Sequence, residues 1–400
     1  MVVLKYKNLR FSEHNNKIKV LFMKAYYFYL YKKDLAKIGK VKAKANSIEF
    51  KTDKKEENVK QKFSYLLSKG FNSLRSTINK KPVLYIHKNS GIPLIGSNSF
   101  GIIDRGTNVI EIKPLTTCNI DCIFCSVDHT KRLLDIVVEP EYLIQELKKV
   151  ISFKKNKVNI HIGSQGDPSL YGNLEFLIKN IRKIKQVNAI SIVSNGILIT
   201  KTKADKLIKS GLTHFHISLH TTNQEMADKL ANAKYPVKKV MNVCRYISTS
   251  KKAHLLIVPV LLPGINDKDV EDVIKFAKKI GAKIGIQNFL QYKFGKKPVN
   301  AIPMKVFMHK LKLLEKKLDV DLTTLEGDLI IKEDSELKKP FKKNDVINVE
   351  LKSKARLKNT VIAVSNNRVV TVINCSKTKG KIKVKIIRDK DNIFVATPIK

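Results

Sequence analysis

The feature of this 400-residue sequence that most restricts its fold is an alternation of short apolar runs with helical patterns over residues 107–300. Such an alternation is typical of βα units that build a parallel sheet. The predicted strands are residues 109–112, 158–162, 189–193, 215–219, 255–262 and 283–287. Six units are too few for a closed eight-stranded barrel, so the sequence predicts an α/β fold with a partial (β/α)6 TIM-type barrel. Its chemistry is expected at the carboxyl ends of the strands.

Helices between and after these strands carry their own boundary signals. Pro140 suits the first turn of a helix whose apolar residues recur as far as Ile151. A second helix is predicted to begin at Asn266 or Asp267 and to end near Gly281. A helix over residues 303–318 is expected to close the core.

The regions before and after the βα units differ from them in pattern. Residues 1–90 mix short strands with helices, which predicts an N-terminal α+β extension, and residues 91–325 form the predicted core domain. Residues 338–400 predict a small closed β-barrel of the OB type, because short alternating runs are separated by turn residues. Its predicted strands are residues 346–351, 361–364, 369–373, 382–387 and 393–396.

Three of the five cysteines fall within eight residues, directly after the first predicted strand of the βα units. These three are Cys118, Cys122 and Cys125. Cys244 and Cys375 stand alone, so the pattern does not suit a disulfide framework. Three thiolates can bind three irons of a [4Fe-4S] cluster and leave the fourth iron open. The alternative is a zinc site of three cysteines and one histidine, with His129 as the fourth ligand.

The cysteine loop resembles that of the radical SAM superfamily, which has CxxxCxxC after the first strand of a six-unit partial barrel. This chain carries the run C-N-I-D-C-I-F-C at 118–125, and Phe124 stands where the family has an aromatic residue. The resemblance covers about residues 105–300. It implies one [4Fe-4S] cluster and S-adenosylmethionine (SAM) as cofactors. It also implies a low-potential electron donor, such as ferredoxin or flavodoxin, whose electron cleaves SAM to a 5′-deoxyadenosyl radical.

The same resemblance implies cofactor-binding residues at the ends of later strands, besides Phe124. Gln165, Gly166 and Asp167 stand where the family has a GGEP-like motif, with Gln and Asp in place of Gly and Glu. The Asp167 carboxylate is expected to hold the methionyl ammonium of SAM, and an ordinary Gly-Asp-Pro turn is the alternative. The other implied positions are Ser194 and Asn195 after the third strand, Ser218 on the fourth, and Pro263 and Gly264 after the fifth.

Charge offers a second line of inference. Lysine and arginine exceed aspartate and glutamate by 42, but the surplus is mostly lysine and indicates compositional drift as much as a polyanionic partner. Residues 341–400 carry fifteen basic and four acidic residues, a net charge of +11 that exceeds the chain average. Their strand spacing and the run K-G-K-I-K-V-K-I at 379–386 resemble a TRAM domain, an RNA-binding barrel of several RNA-modifying enzymes. A lysine-rich solvated β-domain is the alternative.

Three functional hypotheses follow. The favoured one is a radical SAM enzyme that modifies tRNA or rRNA, by methylation or another change. The second is such an enzyme acting on a protein or a small metabolite, with the basic region used for docking. The third is a catalytically silent nucleic-acid-binding module. Cys244 and Cys375 are predicted to be packed thiols, with a methyl-carrier role as the alternative.

Location is predicted from what the sequence lacks. The densest apolar run, at residues 20–31, is shorter than the roughly 20 residues that a membrane span needs. The first residues do not show the pattern of a secretory signal. A cytoplasmic protein without a membrane partner is therefore expected.

Overall fold

The computed structural model describes residues 1–163, 165–324 and 330–399. Its N-terminal part consists of two antiparallel sheets packed against a long helix. The elements are β1 (Val2–Lys5), β2 (Leu9–His14), β3 (Lys17–Phe22), β4 (Tyr26–Tyr31), α1 (Lys32–Leu35), β5 (Lys40–Lys44), β6 (Ser47–Lys51), α2 (Glu56–Phe71) and β7 (Arg75–Ser76). The strand orders are β1-β6-β5 and β2-β3-β4-β7. Strand β4 alternates between buried and less buried residues, as expected of a sheet with one covered face.

The middle of the chain forms the predicted βα pattern. Its strands are β8 (Val83–Ile86), β9 (Gly101–Asp104), β10 (Val109–Lys113), β11 (Asp135–Val138), β12 (Val158–Ile162), β13 (Val187–Ser194), β14 (His214–Ile217), β15 (His254–Ile257), β16 (Val260–Leu261), β17 (Lys283–Ile284) and β18 (Gln287–Asn288). Its helices are α3 (Pro140–Ile151), α4 (Leu174–Arg182), α5 (Lys201–Ser210), α6 (Gln224–Ala231), α7 (Val237–Ser248), α8 (Asp267–Lys279) and α9 (Met304–Leu318). None of the described helices is both long enough and apolar enough to cross a membrane.

The central sheet has the order β17-β15-β14-β13-β12-β10-β9. Strand β9 is antiparallel to β10, and the other neighbours are parallel. Buried apolar residues recur along the strands, as Val158, Ile160 and Ile162 of β12 illustrate, and in β12 they alternate with the polar residues Asn159 and His161. The predicted α/β class is confirmed. The curvature of this sheet into a partial barrel and the domain boundaries stay predictions.

Three strand predictions were wrong in their bounds. The fifth predicted strand is divided at Pro259, which has no N–H to donate to a sheet, and β16 beyond it pairs with β18 instead. The sixth is divided in the same way around Gly285. The fourth strand ends at Ile217, so Ser218 lies just beyond the strand and not on it.

The C-terminal part is a closed barrel of five strands. They are β19 (Val346–Lys354), β20 (Thr360–Ser365), β21 (Arg368–Ile373), β22 (Gly380–Arg388) and β23 (Phe394–Pro398), in the order β19-β20-β21-β23-β22. Buried apolar side chains from these strands fill its interior, among them Val349, Val370 and Phe394. The small closed barrel that the sequence predicts is confirmed, and its likeness to a TRAM domain stays a prediction.

The barrel is joined to the rest of the molecule by hydrogen bonds and apolar packing. The Val369 N–H donates to the Ile95 carbonyl (2.8 Å). Gly96 approaches β21 so closely that a Cβ at this position would lie 2.2 Å from the Val369 carbonyl oxygen. Ala355, Ile362 and Val369 belong to the same continuous hydrophobic core as the central sheet.

Candidate active site

Backbone hydrogen bonds hold the cysteine loop in place. The N–H groups of Asp121 and Ile123 donate to the carbonyls of the last two residues of α6, at 3.1 and 3.0 Å. The Lys296 N–H donates to the Cys125 carbonyl (2.9 Å), and its ammonium forms an ion pair with Asp121 (2.7 Å). The loop backbone is therefore fixed by protein contacts alone, and the three thiols face one cavity.

Burial governs the protonation of these thiols. Burial, followed by the negative charge of Asp167, raises the pKa of Cys118 to about 12. Burial and the other two thiols raise the pKa of Cys122 well above its usual value, and burial also raises the pKa of Cys125. Three thiolates in one buried loop would repel one another, and bound iron would supply the compensating positive charge.

The donor set suits a multi-iron cluster better than a single ion. Among residues 1–163, 165–324 and 330–399, no three side chains of His, Cys, Asp or Glu converge closely enough to hold one metal ion. Zinc needs four ligands about one point, and His129 Nδ1 instead contacts the Arg132 guanidinium. In a [4Fe-4S] cluster each thiolate binds a different iron, so the thiols need not converge. His129 lines the same cavity as the three thiols, but its contact with Arg132 and the spread of the donors favour the cluster over the zinc site.

A buried arginine underlies the cysteine loop. The Arg132 guanidinium forms an ion pair with Asp135 (3.2 Å) and donates to the carbonyls of Thr116 and Gln165, the latter at 3.1 Å. Asp135 accepts a hydrogen bond from the Thr117 hydroxyl (3.1 Å). Arg132 thus connects the residues before the cysteine loop with the end of β12. The sequence does not predict this pair, because neither residue belongs to a periodic pattern.

The N-terminal part reaches the same network. Asn79 donates to the Asp135 carboxylate (2.9 Å), and Lys81 donates to the carbonyls of His129 (2.6 Å) and Arg132 (2.7 Å). The Tyr26 hydroxyl lies 3.3 Å from that of Thr117. Residues 1–90, for which the sequence indicates no role, therefore help to support the cysteine loop.

Gly166 and Asp167 lie in the loop after β12 and pack against the residues that precede the cysteine loop. A Cβ on Gly166 would lie 2.0 Å from the Thr117 carbonyl oxygen, so no larger residue fits without moving the backbone. The Asp167 N–H donates to the same carbonyl (2.9 Å). This close approach explains why the motif needs glycine here. Ser164, which belongs to the same sequence motif, lies outside the described residues.

The Asp167 carboxylate is buried and engaged by the protein. It accepts hydrogen bonds from the Ser169 N–H (2.8 Å), from the Ser194 hydroxyl (3.0 Å) and from the Asn195 N–H (2.7 Å). Asp167 therefore ties the ends of β12 and β13 together. Its expected contact with the ammonium of SAM stays a prediction.

Gln165 offers a polar atom that the described protein does not engage. Its Oε1 is buried without a hydrogen-bond partner among the described residues, and the residue lines the cavity. Buried acceptors normally have a donor, so this oxygen is suited to receive one from a bound molecule. Asn195 lies nearby on the wall and donates to Asn119 (2.8 Å) in the cysteine loop.

A cavity of about 630 Å³ brings most of the expected residues together. The expected residues that line it are Cys118, Cys122, Phe124, Cys125, Gln165, Gly166, Asp167, Ser194, Asn195 and Ser218. Pro263 and Gly264 do not line it. Beyond Pro259 the chain pairs with β18, and Val260 and Asn288 line the wall instead. The expected roles of Pro263 and Gly264 in cofactor binding therefore lack a contact with the cavity.

Two wall residues were missed by the sequence analysis. The Tyr235 hydroxyl donates to the Asn195 carbonyl (2.7 Å) and lies 3.3 Å from the Ser218 carbonyl. The His220 ring packs edge-on against Phe124 at 4.7 Å, and its Nδ1 accepts from the Val260 N–H (3.1 Å). Burial lowers the pKa of His220 to about 4, so the ring is neutral near pH 7. His220 follows β14 by three residues, and that position is the one signal that could have identified it.

The two isolated cysteines lie apart from this cavity. Cys244 is buried in α7, and burial raises its pKa to about 12. Cys375 is buried after β21, and its thiol contacts the Lys377 carbonyl. Neither lines the cavity, which agrees with packed thiols.

Comparison with known proteins identifies relatives of this chain. Residues 112–277 match the family model of the radical SAM superfamily. An uncharacterised protein of Methanocaldococcus jannaschii is 35% identical over 382 residues, covering 86% of this chain and 87% of that protein. A probable GTP 3′,8-cyclase of the same organism is 30% identical over 194 residues, covering 47% of this chain and 61% of that protein. The solved structure of Streptococcus suis SuiB bound to S-adenosylmethionine has 12% identity and a TM-score of 0.44, covering 81% of this chain and 73% of that chain.

The matched segment contains most of the structural elements that build the cavity. It begins within β10 and includes the cysteine loop, the residues that follow β12, β13 and β14, and most of α8. The three thiols and most of the cavity wall therefore lie within the part of the chain that the family model recognises, whereas wall residues such as Asn288 and Phe289 lie beyond it. The chain belongs to the radical SAM superfamily of enzymes.

Proposed function

We propose that this radical SAM enzyme modifies RNA, with tRNA or rRNA as the substrate. The observation that carries the proposal is a lysine-rich closed barrel that adjoins the cysteine loop. The Leu133 N–H, eight residues beyond Cys125, donates to the carbonyl of Arg356 in the loop after β19 (2.7 Å). A polyanion bound to the barrel would therefore lie close to the cofactor cavity.

One strand of the barrel presents a row of lysines. Lys381, Lys383 and Lys385 alternate along β22 and are exposed, whereas Val384 and Ile386 between and beyond them are buried. Exposed lysines at alternate positions of a strand share one face. Such a row supports contact with successive phosphates and agrees with the predicted likeness to a TRAM domain.

The family implies a [4Fe-4S] cluster and SAM, and the chain provides groups that fit both. When bound, they supply a 5′-deoxyadenosyl radical that removes a hydrogen atom from the substrate. Cys118, Cys122 and Cys125 would bind three irons. Gln165 Oε1 would accept a hydrogen bond from SAM, and apolar wall residues such as Phe289 would exclude water from the cavity.

A low-potential electron donor completes the proposed reaction. Ferredoxins and flavodoxins fit this role because their electrons can be delivered across a protein surface. The surplus of 42 positive charges on this chain supports docking of an acidic donor.

Mass spectrometry of nucleosides from total tRNA and rRNA tests the proposal. A deletion strain is expected to lose one modified nucleoside, which the wild-type gene restores and a Cys122→Ala gene does not. A gene with Lys381, Lys383 and Lys385 changed to Gln is expected to restore less of it. The matched control changes three exposed lysines elsewhere, Lys185, Lys206 and Lys209. An unchanged nucleoside profile in the deletion strain would contradict the proposal.

The relatives favour a second candidate, an enzyme that acts on a small nucleotide. Several of them carry the name GTP 3′,8-cyclase, including one from Methanococcus aeolicus that is 24% identical over 310 residues. A cavity of about 630 Å³ lies in the size range of small-molecule sites. Incubation of the iron-loaded enzyme with GTP and SAM distinguishes the candidates. Conversion of GTP with formation of 5′-deoxyadenosine would favour the small-nucleotide enzyme.

A further inference from the structure

The outer face of the N-terminal sheet β2-β3-β4-β7 carries three tyrosines in a row. Tyr27, Tyr29 and Tyr31 alternate along β4 with residues whose side chains are buried. Tyr31 is 47% exposed, and the other two are half-buried. Because side chains at alternate positions share a face and the strand rises about 3.4 Å per residue, the Cα atoms of neighbouring tyrosines are about 7 Å apart. The rings of Tyr27 and Tyr29 pack edge-to-face, with their centres 5.6 Å apart.

Lysines of the adjacent strand lie among these rings. Lys17 pairs with Tyr31 across the strands, and Lys19 pairs with Tyr29. The Lys17 ammonium lies 4.8 Å from the centre of the Tyr31 ring, and that of Lys19 lies 4.9 Å from the Tyr27 ring. These five residues are called the tyrosine face below.

Basic residues also surround the tyrosine face. On β2, Arg10 and His14 share its side of the sheet, and the His14 ring stacks on Tyr29 at 5.6 Å. Arg75 of β7 pairs with Tyr27. No Asp or Glu occupies an outward position of these strands, all of which are described. The charge of the whole face is therefore positive.

No other part of the described structure covers the tyrosine face with apolar packing. None of its three tyrosines belongs to a hydrophobic core or to the residues packed against one. The opposite face of the same sheet does belong to the main core, through Phe28 and Leu30. The rings on the outer face thus contribute little to the folded core, and they contact one another, the His14 ring and lysine ammonium groups.

We propose that the tyrosine face binds single-stranded RNA. Aromatic rings spaced along a strand can stack successive unpaired bases, and the lysines and arginines beside them can contact the phosphates. A base that stacks on a ring would displace the ammonium over it, and the ammonium would then meet the adjacent phosphate. Double-stranded RNA does not offer its base faces, so the rings select unpaired nucleotides. This inference rests on the proposed function, because it supplies a second contact for the same class of substrate.

Fluorescence anisotropy with a labelled 12-nucleotide oligouridylate tests the inference on the full chain. Tyr27, Tyr29 and Tyr31 are changed to Thr, which preserves the tendency to form a strand but removes the rings. Each ring is expected to contribute about fivefold or more to affinity. A variant with the three tyrosines changed to Phe should bind like the wild type. The matched control is Tyr65→Ala, since Tyr65 is an exposed tyrosine on α2 with the Lys69 ammonium over its ring.

An abasic oligonucleotide of the same length separates stacking from charge. The wild type is expected to bind it more weakly than oligouridylate, and the Thr variant should bind the two equally. Changing Lys17 and Lys19 to Gln should reduce the salt dependence of binding, by about 0.7 in the log–log slope for each phosphate that is no longer neutralised. Equal binding of both oligonucleotides by the wild type would overturn the inference. So would a Thr variant that binds like the Tyr65→Ala control.

Two further measurements keep this inference separate from the proposed function. If changing the three barrel lysines to Gln leaves RNA affinity unchanged while the Thr variant loses it, the barrel site fails and the tyrosine face stands. If only the barrel variant loses affinity, the tyrosine face fails as an RNA site and the barrel site stands. Vesicles of phosphatidylserine test the other anionic surface. Binding to them that depends on the tyrosines, without an effect on oligouridylate, would overturn the inference.

Discussion

At the scale of single residues, the Asp167 carboxylate stabilises the cavity wall by hydrogen bonds to other protein groups. Both of its oxygens accept hydrogen bonds, one from the Ser169 N–H and one from the Asn195 N–H, and both lie 3.0 Å from the Ser194 hydroxyl. Such hydrogen bonds to a charged acceptor are stronger than neutral ones. The ends of β12 and β13 are therefore held in register before a cofactor binds.

The Asp167→Asn variant separates this bracing role from direct contact with SAM. The amide nitrogen would face a hydrogen-bond donor, so the free energy of unfolding of the metal-free protein should fall by about 1–3 kcal/mol. Urea denaturation measures this, and equilibrium dialysis of the iron-loaded protein measures SAM affinity. Asp272→Asn is the control, because that carboxylate is 43% exposed and pairs with Lys275 at 3.3 Å. A loss of SAM affinity without a change in unfolding would favour direct contact instead.

Buried histidines make stability depend on pH. Burial lowers the pKa of His216 to about 3, whereas an unfolded histidine titrates near 6.5. As the pH falls below about 6.5, His216 binds a proton in the unfolded chain but stays neutral in the folded chain. The free energy of unfolding should then fall by about 1.4 kcal/mol per pH unit for this residue. Urea denaturation at pH 7 and pH 5 should show a smaller decrease for His216→Leu than for the wild type, and an unaltered decrease for the exposed His309→Leu. An equal decrease in all three proteins would contradict this.

Residue-level prediction from the sequence succeeded where the spacing itself carries the chemistry. The three cysteines and the polar residues after β12 and β13 line one cavity, as expected of residues at the carboxyl ends of parallel strands. Arg132 and Tyr235 escaped prediction because each acts through partners that are distant in sequence. No local pattern distinguishes a buried arginine from an exposed one in a lysine-rich chain.

At the scale of elements, the cysteine loop depends on the buried pair of Arg132 and Asp135. Arg132→Met would leave the Asp135 carboxylate buried without its counter-charge, which should cost about 3–5 kcal/mol of unfolding free energy. Iron bound per chain after reconstitution should fall as well, because the Arg132 guanidinium holds the Thr116 carbonyl just before the loop. Urea denaturation and iron analysis measure the two effects.

A double variant separates charge from loop support. Arg132→Met with Asp135→Leu removes both charges and should recover most of the unfolding free energy. Iron binding should stay reduced, because the hydrogen bond to Thr116 is still missing. Recovery of both properties would contradict a supporting role for Arg132.

The strand bounds show what an apolar pattern can and cannot predict. Residues 255–262 are a continuous apolar run with Pro259 inside it, and the run alone does not indicate that the chain changes sheets there. Pairing of β16 with β18 is decided by contacts between distant segments. The same change of sheet brings Asn288 to the cavity wall and leaves Pro263 away from it.

At the scale of the whole molecule, the barrel and the core form one packed body. A chain ending at residue 337 would remove Ala355, Ile362 and Val369 from the main hydrophobic core and leave the Leu133 N–H without its partner. The melting temperature of such a truncated chain should fall by roughly 2 °C or more for each kcal/mol of stability removed. Differential scanning calorimetry of the full and truncated metal-free chains measures it. An unchanged transition for the truncated chain would indicate that the barrel adds nothing to the stability of the core.

The order of the three parts along the chain could be predicted, because each part has its own pattern of apolar residues. Their contacts could not. The hydrogen bond between Leu133 and Arg356 joins residues far apart in sequence, and neither residue carries a local signal for it. The tyrosines of β4 were likewise overlooked because an aromatic strand alone does not indicate which of its faces is covered.

The hydrogen bond from Leu133 to Arg356 can form only late in synthesis, because the two residues are far apart in sequence. Ribosomes add about 5–20 residues per second, so Arg356 is made roughly 11–45 s after Leu133. Over that interval Leu133 lacks its hydrogen bond to Arg356, and the Ile95 carbonyl lacks the N–H of Val369 on β21. In a nascent chain the segment that carries the thiols would therefore be less constrained than in the finished enzyme. Iron delivery or oxidants in the cell could first reach the thiols during this period.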